Sequence, residues 1–128
     1  IIHADAVSGL RQLAGASCAG VIMSSFLEHE LEPRTLLQET LRTIKPGGVA
    51  IIKVPNFDSW NRVFRKQRWC GFRFPDHVNY FTPETITRMA RSVGFTIRRF
   101  RWQDRLPTSD TLWIVLQKPA SDRMKAEG

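Results

Sequence analysis

Cysteine is scarce in this chain. Cys18 and Cys70 are the only two among 128 residues, and neither belongs to a CxxC pair. A disulfide framework needs several cysteines, and a cysteine-based zinc site needs closely spaced ligands. We therefore predict neither a disulfide framework nor a zinc site. We expect both thiols to be reduced, as is typical of intracellular enzymes.

Long apolar runs are missing as well. No stretch approaches the roughly 18 to 20 apolar residues that a membrane-spanning helix needs. The first residues, Ile1-Ile2-His3, contain neither the basic region nor the apolar region of a signal peptide. With 42% hydrophobic residues, the chain is long enough to bury one core. We therefore expect a single cytoplasmic domain without a membrane span.

Acidic residues are outnumbered by basic ones, 12 to 19, which gives a net charge of +7. Much of the positive charge lies in two clusters, Arg62, Arg65, Lys66, Arg68 and Arg73, and Arg98, Arg99, Arg101 and Arg105. Such clusters can attract nucleic acid, an anionic lipid surface or a phosphate-bearing substrate. The alternative is that they are solvated faces without a ligand.

The centre of the chain predicts a strand, a helix and a second strand. Small and apolar residues run without interruption through 19–24 and 49–54, which is typical of strands buried on both faces. Pro33 begins a helix, and Pro46-Gly47-Gly48 is expected to end it. The apolar stripe of this helix is formed by Leu36, Leu37, Leu41 and Ile44. Two parallel strands joined by one helix form a βαβ unit.

The flanking segments extend this pattern. Ile1-Ile2-His3 predicts a short strand that ends at Asp5, and Val7 to Leu13 predicts a turn of helix. Thr82 and Pro83 begin a helix that ends at Gly94. Two strands follow, over 95–102 and 111–118. The predicted order is β, β-α-β, lid, α-β-β, with residues 1–119 as one unit and 120–128 as a frayed tail.

The lid of this scheme is an aromatic-rich segment, residues 57–81, without regular periodicity. Its aromatic residues favour a folded segment over a disordered one. We expect a helix around Ser59 to Lys66 inside it.

The order of elements, together with Leu27-Glu28-His29 and Lys45-Pro46-Gly47-Gly48, resembles the second half of a class I S-adenosylmethionine-dependent methyltransferase. The resemblance implies an α/β fold, a Rossmann-like three-layer αβα sandwich whose mostly parallel sheet has an antiparallel last strand. It also implies that the first two strands are lacking. The implied activity is methyl transfer from S-adenosylmethionine to oxygen, nitrogen or carbon of a small-molecule acceptor.

The same resemblance implies where the cofactor binds. Asp5, followed by Ala6, matches the acidic residue that recognises the adenine amino group, for which a charged acceptor is well suited. The alternative for Asp5 is an ordinary helix cap. Ser24 and Ser25 match the segment along the methionine part of the cofactor, where small side chains let a ligand approach the backbone. Glu28 is either a site residue or a brace for the next helix.

Catalytic and substrate-binding roles are implied further along the chain. His77 matches a position over the substrate and is the first candidate for a general base, with Asp76 or Tyr80 to orient it or the substrate. His29 is the second candidate. The alternative for His77 is that it packs under the lid and hydrogen-bonds a backbone carbonyl. Substrate contacts are predicted for Asn56, Trp60 and Tyr80.

No metal is predicted. Some quinone-pathway O-methyltransferases that share Leu-Glu-His carry another Glu three residues before the motif's Glu, and that trio holds a divalent metal. In this chain the corresponding position is Ser25. One Glu and one His are too few protein ligands for a metal site.

The family's glycine-rich first loop and the acidic residue after its second strand have no counterpart here. Gly9, Gly15 and Gly20 do not form such a loop. We therefore expect a fragment of a longer enzyme, inactive alone, whose unpaired apolar edge favours association, for example as a homodimer. The alternative hypothesis is a non-catalytic basic module that binds nucleic acid or a partner protein, and this is less favoured.

Overall fold

A four-stranded sheet forms the centre of the fold. This computed structural model describes residues 1–71, 73, 75–100 and 107–120. The strands occur in the order β1-β2-β4-β3. β1 and β2 are parallel, whereas β4 is antiparallel to both of its neighbours. The predicted α/β class, with a mostly parallel sheet and an antiparallel last strand, is therefore confirmed. The strand bounds are β1 Cys18–Ser24, β2 Ile44–Pro55, β3 Thr96–Phe100 and β4 Thr111–Gln117.

Four α-helices accompany the sheet: α1 Ala6–Arg11, α2 Pro33–Thr43, α3 Trp60–Arg65 and α4 Pro83–Val93. The start predicted for α4 is present, because Thr82 and Thr85 form a capping box and Pro83 occupies the first turn. Gly94, with φ +119°, ends the same helix. None of the described helices is long and apolar enough to cross a membrane.

One face of the sheet is packed against helices. Alternate residues of β2 and β4 are fully buried, and Leu36 and Leu37 of α2 and Ile86 of α4 pack against them. These strand residues are Ala50, Ile52, Val54, Leu112, Ile114 and Leu116. On the opposite face of β1, Ile22 is 73% exposed. The expectation that β1 is buried on both faces therefore does not hold at Ile22.

The strand predicted for Ile1-Ile2-His3 is not formed. These residues are irregular and exposed, and they lead into α1, which Asp5 caps. A strand is stabilised by backbone hydrogen bonds to a neighbour. The neighbour of β1 in the described sheet is β2, and no described strand lies beside residues 1–3 to pair with them.

The end of α2 also differs from the prediction. The helix ends at Thr43, before Pro46, because Ile44 is already extended, pairs with Cys18 and is fully buried. Lys45-Pro46-Gly47-Gly48 therefore belongs to the irregular first part of β2. There Gly47 N–H donates to the Lys118 carbonyl, and Lys118 N–H donates to the Gly48 carbonyl. The segment predicted to stop a helix thus joins β2 to the end of β4.

Candidate functional site

The carboxyl ends of β1 and β2 lie side by side, since Ser24 pairs with Lys53. At the next residue, Ser25, the backbone N–H donates to the Lys53 carbonyl over 3.0 Å. Ser25 has φ +51°, a left-handed conformation that non-glycine residues seldom adopt. Such conformations are concentrated at functional sites. The chain therefore turns sharply off the sheet at the edge where ligands of open α/β sheets bind.

A cavity of about 420 Å³ lies between β1 and α1. Three of the residues predicted to bind the cofactor, Asp5, Ala6 and Ser24, line it. Much of the remaining wall is apolar and includes Leu10 and Met23. The volume falls in the range of roughly 300 to 1,000 Å³ found for small-molecule sites. Asp5 and Ser24, which are 19 positions apart in the sequence, thus share one concave surface.

Asp5 also caps α1. Its Oδ1 accepts a hydrogen bond from Ser8 N–H over 2.9 Å. This hydrogen bond holds the pKa of Asp5 below the ordinary carboxyl value, so the side chain is ionised at neutral pH. Asp5 is exposed, and a carboxylate has several acceptor positions. The helix cap, which was the alternative interpretation of Asp5, is present. The carboxylate can still accept hydrogen bonds from a ligand. The adenine role itself stays a prediction.

A second cavity, of about 160 Å³, lies between the ends of the strands and the lid. Ser25 lines it, together with Lys53, Cys70 and Asp110. Sequence reasoning missed the last three. Lys53 carried a local signal, because it is a charged residue in an otherwise apolar strand next to the strand's end. Cys70 and Asp110 carried none, since the fold of the lid and the pairing of β2 with β4 bring them to the strand ends.

The lid is fastened to the sheet through Asp110, which directly precedes β4. Trp69 is 1% exposed, and its Nε1 donates to Asp110 Oδ1 over 3.0 Å. Asn61 Nδ2 donates to Oδ2 over 2.8 Å. Burial raises the pKa of Asp110, but hydrogen bonds from Trp69, Ser59 and Asn61 outweigh it and hold the pKa below the ordinary value. The helix predicted inside the lid is present as α3, with Ser59 as its cap.

The three residues predicted to contact substrate lie in different environments. Asn56 is 1% exposed, and its amide donates to the Ser109 carbonyl and accepts from Asp58 N–H. Trp60 is 56% exposed on α3. Tyr80 packs against Phe57, with ring centroids 5.4 Å apart. None of the three is among the residues that line the two cavities. Asn56 therefore has a visible structural role, and the substrate contacts stay predictions.

The predicted catalytic histidines lie together with Glu28, and we call this group the Glu28–His29–His77 cluster. One ligand atom of each side chain lies within 4.8 Å of the others. The two imidazole rings meet edge to face, with centroids 4.7 Å apart. Glu28 is 1% exposed and His77 is 6% exposed. Glu28 is thus placed with the histidines, and it does not line the cavity that contains Asp5.

Backbone groups of the lid hold this cluster in position. Nδ1 of His29 donates to the Asp76 carbonyl over 2.6 Å, and Nδ1 of His77 donates to the Gly71 carbonyl over 2.7 Å. The Glu28 carbonyl accepts from the N–H groups of Val78 and Asn79. The alternative interpretation of His77, packing under the lid with a bond to a carbonyl, matches this geometry. Asp76 orients His29 through its backbone carbonyl, and Asp76 itself is exposed.

A family model described as a methyltransferase domain matches residues 6–99, which is more than half of the chain. The chain belongs to the methyltransferase-domain family. The match includes the end of β1, the Glu28–His29–His77 cluster and the helix α4. No curated protein sequence matches the chain significantly.

Solved methyltransferase structures share the fold of this methyltransferase-domain chain. A SAM-dependent methyltransferase from Archaeoglobus fulgidus has a TM-score of 0.71 at 19% identity, with 91% of this chain and 66% of that chain covered. A SAM-dependent methyltransferase from Thermotoga maritima, described as a possible histamine N-methyltransferase, has a TM-score of 0.64 at 18% identity. The likeness covers 83% of this chain and 58% of that chain. At these identities the likeness shows a common Rossmann-like fold. The chain spans less than two thirds of the length of either structure.

A third structure contains ligands. The 1,6-didemethyltoxoflavin-N1-methyltransferase of Burkholderia thailandensis, solved with 1,6-didemethyltoxoflavin and S-adenosylhomocysteine, has a TM-score of 0.61 at 16% identity. The likeness covers 86% of this chain and 48% of that chain.

Proposed function

We propose that this chain is part of an S-adenosylmethionine-dependent methyltransferase that acts on a small molecule. The observation that carries the proposal is the cavity beside β1, in which Asp5, Ala6 and Ser24 meet at the carboxyl edge of a methyltransferase-domain sheet. The cofactor is further supported by the Burkholderia relative, which binds S-adenosylhomocysteine.

Asp5 is proposed to accept a hydrogen bond from the adenine amino group. The carboxylate is ionised, since hydrogen bonding to Ser8 lowers its pKa, and charge-assisted hydrogen bonds are about twice as strong as neutral ones. Apolar residues of the same wall, among them Leu10 and Met23, suit the faces of an adenine ring. Ser24 is small enough to let the ligand approach the end of β1.

The acceptor is proposed to lie at the second cavity, beneath the lid. Ser25, Lys53 and Asp110 give this cavity polar groups that can position a small polar molecule. In methyl transfer, a lone pair of the acceptor forms a bond to the methyl carbon while the carbon–sulfur bond breaks and its electron pair returns to sulfur. The reaction depends mainly on alignment of the two reactants. A lid fastened through Trp69 and Asp110 supports such alignment.

General-base roles for His77, Asp76 and His29 stay predictions. A base must come within hydrogen-bond distance of the proton that it removes. His77 is nearly enclosed, and none of the three residues is among those that line the two cavities. A base is needed only when the acceptor must lose a proton.

Calorimetric titration of the whole protein with S-adenosylhomocysteine tests the cofactor proposal. The decisive variant is Asp5→Asn, because asparagine caps a helix as well as aspartate does and removes only the charge. We expect about tenfold weaker binding for Asp5→Asn. Asp58→Asn removes an equal charge from an exposed position in the lid and is the matched control. Absence of heat at near-millimolar ligand, or equal affinity of wild type and Asp5→Asn, would contradict the proposal.

A further inference from the structure

The Glu28–His29–His77 cluster brings three hydrogen-bond acceptors together. Because Nδ1 of each histidine donates to a backbone carbonyl, Nε2 is the ring nitrogen left to bind a ligand. The third group is the Glu28 carboxylate, with Oε1 at 3.9 Å from His29 Nε2. That distance is too long for a hydrogen bond. A carboxylate and two imidazoles thus face one another, an arrangement that a cation between them would stabilise.

Glu28 provides an independent indication of a ligand. Its side chain is 2% exposed, and Oε2 has no hydrogen-bond partner among the described residues. Leaving a buried carboxylate oxygen unpaired is costly, and buried charges in proteins are paired or coordinate metals. The unpaired atom belongs to the residue whose carboxylate faces the two histidines. In the part of the chain that the structure describes, Oε2 of Glu28 therefore has no positive partner.

The hydrogen bonds around the cluster match those of known metal ligands. A histidine that ligates a metal through one ring nitrogen almost always donates the other N–H to a carbonyl or a carboxylate, which fixes the ring. Both histidines do so here, through the carbonyls of Asp76 and Gly71. The position of Glu28 is fixed in addition by Val78 and Asn79, whose N–H groups donate to its carbonyl.

We propose that Glu28, His29 and His77 bind one divalent transition-metal ion, for which zinc is the best chemical match. Two imidazole nitrogens and one carboxylate are a ligand set that zinc accepts, with water in the fourth position. Magnesium and calcium prefer oxygen ligands. Around a tetrahedral zinc ion, ligand atoms lie about 3.3 Å apart. The present separations are within 4.8 Å, so modest side-chain rotations bring the ligands into place.

The prediction of no metal site was based on only two protein ligands, Glu28 and His29. The structure adds His77, which is 48 positions beyond His29 and belongs to the lid. A bound ion would therefore join the end of β1 to the lid, in addition to the backbone hydrogen bonds already present. His29 is the exposed member, with 40% of its side chain accessible, and gives the ion a path from solvent.

Zinc titration of the whole protein, stripped of metal by a chelator, tests the proposal. We expect one Zn²⁺ per chain by calorimetry, and Co²⁺ in its place should give the visible absorption of a tetrahedral site. At a hundredfold excess over the dissociation constant, zinc should raise the thermal midpoint by about 5 °C or more. Glu28→Gln and His77→Ala should each weaken zinc binding by about a hundredfold or more. His3→Ala and Glu32→Gln, both at exposed positions, are the matched controls.

The wild-type titration decides the question even if a variant fails to fold. Absence of zinc and cobalt binding, a preference for Mg²⁺ over Zn²⁺, or unchanged zinc affinity in a folded Glu28→Gln protein would each overturn the proposal. Binding of S-adenosylhomocysteine is measured separately, at a cavity that Glu28 does not line. Failure of the metal proposal and failure of the cofactor proposal are therefore distinguishable.

Discussion

Three residues near the strand ends have unusual backbone angles or very close packing. Ser25 has φ +51° at the end of β1, and Gly47 has φ +79° near the start of β2. Gly48 faces a different constraint, because a Cβ atom there would lie 2.4 Å from Ile44 Cγ2 and 2.6 Å from the Ala19 carbonyl oxygen. These features are properties of packing, and they lead to two predictions.

Ser25→Gly should stabilise the protein or leave its stability unchanged. Glycine adopts positive φ without steric cost, whereas another residue costs about 1 to 2 kcal/mol there. Ser25→Val should be destabilising by a similar or larger amount, since β-branched residues tolerate this region poorly. Urea denaturation measures both variants. The control is Ser24→Gly, which removes the same side chain from extended backbone and should be destabilising.

Gly48→Ala should cost about 3 kcal/mol, because its methyl group would meet a backbone oxygen that is fixed by the sheet. Gly47→Ala has open space around the new methyl group and should cost only the positive-φ strain, about 1 kcal/mol. Chemical denaturation of the pair compares the two effects within one segment. Equal losses in both variants would show that close packing at Gly48 is unimportant.

At the scale of elements, local signals predicted the helices well and the edge strand poorly. The start of α4 depends on Thr82, Pro83 and Thr85, which all lie within one turn. The helix start can therefore be predicted from the local sequence. The strand predicted for residues 1–3 depends on a neighbour that the described chain does not place there. The lid is intermediate. Its helix was predictable from its cap, but its attachment through Trp69 and Asp110 was not.

Trp69→Phe should loosen the lid while keeping an aromatic ring in place. The change removes the donor to Asp110 Oδ1 and leaves that partly buried oxygen short of a partner, at a cost of about 1 to 3 kcal/mol. Limited trypsin digestion is the measurement, since α3 and the following turn contain exposed Arg65, Lys66 and Arg68. We expect faster cleavage there. Trp60→Phe, at an exposed position, is the control and should leave the rate unchanged.

At the scale of the whole molecule, charge makes stability depend on pH. The protein carries a net charge of +7. The carboxyl groups of Asp5, Glu39 and Asp110 have pKa values below the ordinary value. At Glu39 the lowered pKa comes first from a hydrogen bond with Arg42. A carboxyl group whose pKa is lower in the folded state stabilises that state above its unfolded pKa of about 4. This stabilisation is lost as the pH falls through the folded pKa.

Unfolding in urea should therefore occur at lower denaturant concentration as the pH is reduced from 5 towards about 3. Asp110→Asn should have a smaller dependence on pH in this range, because a carboxyl group held by hydrogen bonds from Trp69, Ser59 and Asn61 no longer titrates. Asp58→Asn, which removes an equal charge from an exposed position, is the control. An identical pH dependence in wild type and Asp110→Asn would contradict the assignment.

The sequence by itself determined the α/β class, the βαβ unit, the helix starts and the family, because each depends on spacing within a few residues or on short motifs. It also singled out Asp5, Ala6 and Ser24, which line one cavity, although Asp5 and Ala6 begin α1 instead of ending a strand. The tertiary structure decided which distant residues meet. His29 and the Asp76 carbonyl are 47 positions apart, and Trp69 and Asp110 are 41 apart. Such contacts arise when the lid folds over the sheet, and no local pattern encodes them. For this reason His77, a candidate base in the sequence, lies beside Glu28 and His29, where we propose it as a third metal ligand.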